Sequence, residues 1–155
     1  MRVLLKVVAV VVVSAIATRV AGVLAARQSD EGSEVSDEFN RTVVMDSLDF
    51  RSQARGLRHG RISVLLGAAR LDLRDAVLDH RGARLTIDCT LGGLAVIVPS
   101  EWAVTVDETL VGGGETRIDV SDPDGLPEDA PRLTIDLLTR LAGCQVSTRD
   151  VDPWR

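Results

Sequence analysis

One short pattern recurs along this chain and leaves few folds open. Residues 62–73 read ISVLLGAARLDL, 85–98 LTIDCTLGGLAVIV, 103–120 AVTVDETLVGGGETRIDV and 133–147 LTIDLLTRLAGCQVS. A weaker copy, TVVMDSLDF, occupies 42–50, and LTID itself occurs at Leu85–Asp88 and Leu133–Asp136. Each copy is an alternating apolar segment, a break that usually carries glycine, and a second alternating segment. Alternation at period two marks strands with one dry face and one wet face. Ile62, Val64 and Leu66 make one dry row, followed by Leu71 and Leu73. Leu85, Ile87, Cys89 and Leu91 make the next, then Leu94, Val96 and Val98, and finally Leu133, Ile135 and Leu137. A single two-strand unit cannot bury its own dry face, whereas stacked copies share a continuous core.

The expected fold is therefore all-β, a short single-stranded β-solenoid-like domain of stacked two-strand repeats. An antiparallel β-sandwich is the alternative, but a sandwich does not require copies that resemble each other at a spacing of about 20 residues. Gly67, Gly92, Gly93 and Gly112–Gly114 are expected to relieve backbone strain at the corners and to let the coils stack closely. Inserts fall at 55–60, 74–83 and 122–131, and 136–142 is the one stretch that could hold a helical turn. Aromatic residues are only 3% of the chain, so the core must be aliphatic.

Upstream of the copies the chain changes character. Leu4–Ala26 is apolar except for Lys6, Ser14, Thr18 and Arg19, and about 20 such residues suffice for a helix to cross the hydrocarbon core of a membrane. Residues 1–26 are expected to form a transmembrane anchor, with a cleaved signal peptide as the alternative. Arg2, Lys6 and the α-amine favour an inside N-terminus and an extracytoplasmic domain. Residues 27–38, RQSDEGSEVSDE, carry five acids in twelve positions and read as a solvated acidic linker. The expected division is anchor 1–26, linker 27–38 and solenoid 39–155. Three of the 18 basic residues and none of the 23 acids lie in 1–26. The remainder is thus acidic and would repel a nucleic-acid backbone.

Chemistry is sparse. His59 and His80 each sit in an arginine-rich turn, without Cys or His partners at metal-ligand spacing. There is no G-x-S-x-G, and Gly112–Gly114 lack the Lys-Ser/Thr of a phosphate loop. Asp72, Asp88, Asp119 and Asp136 recur at similar places in the copies. A stacked carboxylate row could bind calcium, but Arg74, Arg84, Arg117 and Arg132 lie close by, which favours an ion-paired outer face. Cys89 and Cys144 read as buried thiols. A disulfide between coils is the sharper alternative and requires Cα atoms within about 7 Å. Arg51, Arg55, Arg58 and Arg61 with His59 form the one basic cluster. With Trp102 they make the candidate interaction surface, although Trp102 after Pro99 reads more readily as a packed corner.

The segments GRI and LLGAARLDLRDA, residues 60–62 and 65–76, with RLTIDCTLGGLAVIVPSEWAVTV, residues 84–106, resemble the C-terminal domain of LiaF-type proteins. These are the cell wall-active antibiotic response proteins of Gram-positive bacteria. Asp72, Leu73, Arg74, Asp75, Ala76, Gly92, Gly93, Val98, Pro99, Trp102 and Val104 match the family pattern. The match covers about residues 58–147. Leu66-Gly67-Ala68 stands where a Gly-Gly pair is usual, and one span stands where the best-known members have several. The resemblance implies a β-solenoid-like domain and a membrane regulator that modulates a sensor histidine kinase in envelope stress, without catalytic activity. The expected function is thus a non-enzymatic, membrane-anchored regulatory or sensing domain. It would contact lipid through the N-terminal helix and a protein partner through the domain, with no nucleic acid, metal or cofactor. A self-assembling structural or adhesive solenoid at the membrane is the alternative.

Overall fold

The structure is a computed structural model and describes residues 30–149. Eight strands follow one another: β1 (Glu38–Val44), β2 (Ser47–Arg51), β3 (His59–Leu65), β4 (Ala68–Asp72), β5 (Ala83–Thr90), β6 (Gly93–Ile97), β7 (Ala103–Asp119) and β8 (Arg132–Ser147). A 3-10 turn, Pro123–Gly125, lies between the last two. All pairings between strands are parallel. The fold is all-β and solenoid-like: β1–β2, β3–β4 and β5–β6 are successive coils, and β7 and β8 each bend through a whole coil. All five copies read from the sequence are coils. The stretch 136–142 is strand and corner within β8, with no helical turn.

The register is tight. Glu38 lies beside His59 and Ser47 beside Ala68, both 21 residues apart. His59 lies beside Arg84 and Ala68 beside Gly93, both 25 apart. The extra four residues belong to the 73–82 connection. Constant offset on both sides of each corner keeps inward side chains in columns. Ile62, Ile87 and Leu137 form one column, Val43, Val64, Cys89 and Thr139 a second, and Leu71, Val96 and Val146 a third. Nearly all of these are fully buried.

The stacking order departs from the chain order. β8 pairs with β5 and β6 on one side and with β7 on the other. The chain therefore passes over the fourth level, forms the outermost coil as β7, and returns as β8 to fill the gap.

Coil 1 is partly covered by residues read above as linker. Glu31 bridges Asn40 in antiparallel sense, and the Asp30 carboxylate accepts from the Thr42 amide at 2.9 Å. Arg41 occupies an inward position of this end coil, above Ile62. Its guanidinium lies 4.9 Å from the centroid of the Phe50 ring and donates to the Glu31 and Gly32 carbonyls. A cation over an aromatic face and two backbone acceptors stabilise a charge at the mouth of an apolar core. Asp30 and Glu31, within the segment read as linker, thus lie along β1 of the end coil. The expected anchor (1–26) and the expected C-terminal cap (150–155) lie outside the described residues. Among the described residues no helix is long and apolar enough to cross a membrane.

Candidate functional site

The corner between the two arms of each coil carries the least expected arrangement. Met45, Leu66, Leu91 and Leu141 occupy equivalent positions, and each has a left-handed backbone with φ of 50–53°. Such a conformation costs an L-residue about 1–2 kcal/mol, and all four are free of β-branching, which would raise that cost. Their amides keep the ladder unbroken round the bend: Met45 N donates to Leu65 O, Leu66 N to Thr90 O and Leu91 N to Arg140 O, at 3.0–3.1 Å.

Glycine follows rather than occupies the left-handed position in two of these corners. A Cβ on Gly92 would come 2.2 Å from the Gly67 carbonyl oxygen, and one on Gly67 would come 2.4 Å from that of Asp46. These glycines serve close approach between coils, and the leucines before them carry the strained dihedral. Of the two roles expected for Gly67 and Gly92, close stacking of the coils holds and relief of dihedral strain does not. The left-handed turn also explains why Leu66 and Leu91 leave the inward rows assigned to them: it swings each outward.

The result is an apolar ridge along the solenoid. Met45 is 75% exposed, Leu66 43%, Leu91 38% and Leu141 57%. In β7 the level of Leu141 is taken by Gly112, and the exposed Val111, beside Arg140, borders the ridge at that end. Parallel neighbours lie about 4.8 Å apart, so the ridge is continuous across the stack.

The residues singled out from sequence are distributed otherwise. Arg51 pairs with Asp75, and Arg58 with Glu38 at 3.5 Å. Arg61 projects from β3 into a shallow groove beside Ser63, Thr86 and Asp88. Arg55 lies in the 52–58 connection. The basic run is thus spread from β2 through the connection into β3 of the next coil, and Arg51 and Arg58 are ion-paired. Trp102 is buried at 4% exposure, so its ring packs in the core at the entry to β7 and is not a surface anchor. Pro99 accepts from the Trp102 amide in the turn that precedes it.

The DLRDA segment folds as a corner clamp. Asp72 is 2% exposed. Its carboxylate accepts from the Arg74 amide at 3.1 Å, Arg74 Nε at 2.9 Å and a terminal guanidinium nitrogen at 2.7 Å. Ala76 N closes the turn on Leu73 O, and Leu73 is fully buried. The hydrogen bonds from Arg74 hold the Asp72 carboxyl below its ordinary value of 3.8. Its stabilisation is therefore complete above that value and is lost as pH falls through the lower native value. Replacing Asp72 by Asn should cost about 1–2 kcal/mol at neutral pH. Acid titration of unfolding should show the gap between the two proteins closing below the ordinary carboxylate range. Parallel acid profiles would remove Asp72 from the clamp.

The four recurrent aspartates do not form a row. Asp88 and Asp136 lie on the outer face of one arm, with Asp72 and Asp119 on the other arm three coils apart. Each has its own arginine: Arg74 for Asp72, Arg140 for Asp88, Arg149 for Asp119 and Arg84 for Asp136. No group of three or more His, Cys, Asp or Glu side chains is disposed to hold a metal among the described residues. His59 and His80 face Glu38 and Asp79 on the exposed surface.

Cys89 and Cys144 are free, buried thiols. They line the inside of the same corner in adjacent coils, where Thr139, beside Cys89, donates to Cys144 Sγ at 3.5 Å. The contact with Cys144, and then burial, pushes the Cys89 thiol well above the ordinary thiol range.

No family model, curated protein or solved structure matches this chain. The ridge, Arg41 and the corner dihedrals were not foreseen from sequence. The signal available was an apolar residue placed directly before the glycine or small residue of three copies: Leu66-Gly67, Leu91-Gly92 and Leu141-Ala142.

Proposed function

We propose that this chain is a membrane-anchored, non-enzymatic regulatory or sensing domain, LiaF-like in its solenoid, that acts in the envelope stress response by protein contact. The anchor is residues 1–26, the domain is extracytoplasmic, and the partner is a membrane component such as a sensor histidine kinase. The observation that carries the reading is the corner ridge. Met45, Leu66, Leu91 and Leu141 are aligned, apolar and exposed in a domain whose other large aliphatics are mostly buried. Ordered exposed apolar surface of this kind marks contact sites. Position also supports it. Running upstream, the chain passes from Glu31 beside Asn40 to Asp30 at Thr42, heading towards Met45. An anchor preceding Asp30 would join the domain close to the ridge and hold it near the membrane. The residues of the family pattern support the fold half of the resemblance, since Gly92 and Asp72 close coil corners.

The test uses the left-handed dihedrals. Asn tolerates that conformation better than Leu. Leu66→Asn, Leu91→Asn and Leu141→Asn together should leave the melting temperature unchanged or raised. The same protein should fail to alter transcription of a stress reporter in cells challenged with a cell-wall antibiotic, where the wild-type chain does alter it. Paired reporters fused after Arg155 identify the side of the membrane. Full signalling by the folded triple variant, or a cytoplasmic domain, would overturn the proposal.

A further inference from the structure

The two ends of the solenoid are unlike. On coil 1, Asp30 and Glu31 lie along part of the β1 arm, whereas β7 pairs only with β8, and its outer edge meets no strand along its whole length among the described residues. That edge is 17 residues long, and Leu110, Val111 and Ile118 on it are 44–47% exposed. A bare edge is a template for another strand. We propose that a second copy of this chain covers it, β7 against β7, antiparallel about a twofold axis through Gly112, so that the two solenoids share one core.

The sequence of β7 fits this axis. In antiparallel pairing, residues equidistant from the axis lie opposite each other and share a face. The irregularity between Val111 and Gly114 adds one residue at the corner. Inward residues before it are Val106 and Glu108, above Ile135 and Leu137; inward residues after it are Thr116 and Ile118, above Cys144 and Val146. With the axis at Gly112, Val106 meets Ile118 of the second copy and Glu108 meets Thr116, inward against inward. On the outer face Asp107 meets Arg117 and Thr109 meets Glu115. Each pair occurs twice, and no like charges oppose. An axis at Val111 would set Asp107 against Glu115, and one at Gly113 would set it against Asp119. A half-residue shift would oppose inward to outward positions.

A second observation points the same way. Thr116 Oγ1 is a buried side-chain oxygen with no hydrogen-bond partner among the described residues. Turned about χ1 towards the bare edge, this hydroxyl would donate to the Glu108 carboxylate of the second copy, which stands opposite. Arg117 now pairs with Glu115 at 2.8 Å, both well exposed, and can turn to Asp107 without leaving a buried charge. Asp30 and Glu31 on coil 1 obstruct head-to-tail addition, so the assembly closes as a dimer rather than growing as a fibre. The inference is independent of the proposed function.

The experiment uses the full chain in membranes and in detergent. Asp107→Cys protein mixed with Arg117→Cys protein should form a mixed disulfide dimer, and neither alone should do so. Asp107→Arg and Arg117→Asp should each weaken the dimer about tenfold, with the double exchange restoring it and circular dichroism unchanged throughout. A monomer would overturn the proposal, as would a dimer indifferent to both exchanges and without the 107–117 cross-link. The latter would place association in the N-terminal segment. Longer polymers would overturn the closed twofold.

Discussion

Replacing Gly92 by Ala should destabilise the protein by about 3 kcal/mol or more, whereas replacing Gly93 by Ala should stabilise it by about 0.5 kcal/mol. The two positions are adjacent and carry the same residue, so nothing in composition or local propensity separates them. Stacking does. A Cβ on Gly92 would lie 2.2 Å from the Gly67 carbonyl oxygen and 3.2 Å from its carbonyl carbon and amide nitrogen. All three are backbone atoms, and the Gly67 oxygen is itself held by the Gly93 amide at 3.0 Å. Relief would require parting two coils, which breaks the ladder at the corner and opens the columns on both sides of it. A Cβ on Gly93 meets only the Gly143 carbonyl oxygen at 3.8 Å, an ordinary contact. It removes freedom from the unfolded chain and adds apolar cover. Thermal unfolding of both variants checks the contrast. Equal effects at the two positions would mean that the coils at this corner are not as close as described.

The same corner shows how far sequence reasoning reaches. Alternation identified all five coils, because a buried column needs an apolar residue at every level and the register repeats it. The resemblance of the copies at a spacing of about 20 residues favoured a stacked solenoid over an antiparallel sandwich. Alternation failed at Leu66 and Leu91, where continuing it one step further placed exposed residues inside. Periodicity cannot register a change of backbone handedness, and the glycine that normally signals one had been used for clearance at the next position. The distinction between anchor, linker and domain was legible in composition, but composition did not show that Asp30 and Glu31 would lie along β1. Neither did the basic run of Arg51, Arg55, Arg58 and Arg61 reveal its dispersal, since over that length the chain leaves β2, rounds a connection and enters β3 of the next coil. The stacking order was missed although a trace of it is present. The column of Ile62, Ile87 and Leu137 is occupied by Arg41 in the first coil and Glu108 in β7. A charge in an inward position is tolerable where the stack of a single chain ends, because there it can still reach polar partners. Two copies carry one, and they are the two end coils.

That ordering has a large energetic consequence. Ile135 in β8 is fully buried, with Leu85 in the coil beneath it and Val106 of β7 above. Truncating it to Ala removes three carbons from a site enclosed on both sides, where neighbours cannot collapse because each is pinned by its own ladder. A loss of about 3–4 kcal/mol is expected. Val106 occupies the same column one level further out and is only partly buried. In the monomer, Val106→Ala should cost about 1 kcal/mol or less, because solvent there reaches the position and the end coil can relax. Coils stacked in chain order would put Val106 between two neighbours and Ile135 at the end, and the two costs would exchange rank. Denaturant unfolding of both variants therefore decides the topology without a structure determination. The effects should also differ in kind. β8 joins partners 50 residues away at Ala83–Thr90, where earlier coils join partners 21 or 25 residues away. Closing that longer loop delays β8, so Ile135→Ala should act mainly by speeding unfolding rather than by slowing folding.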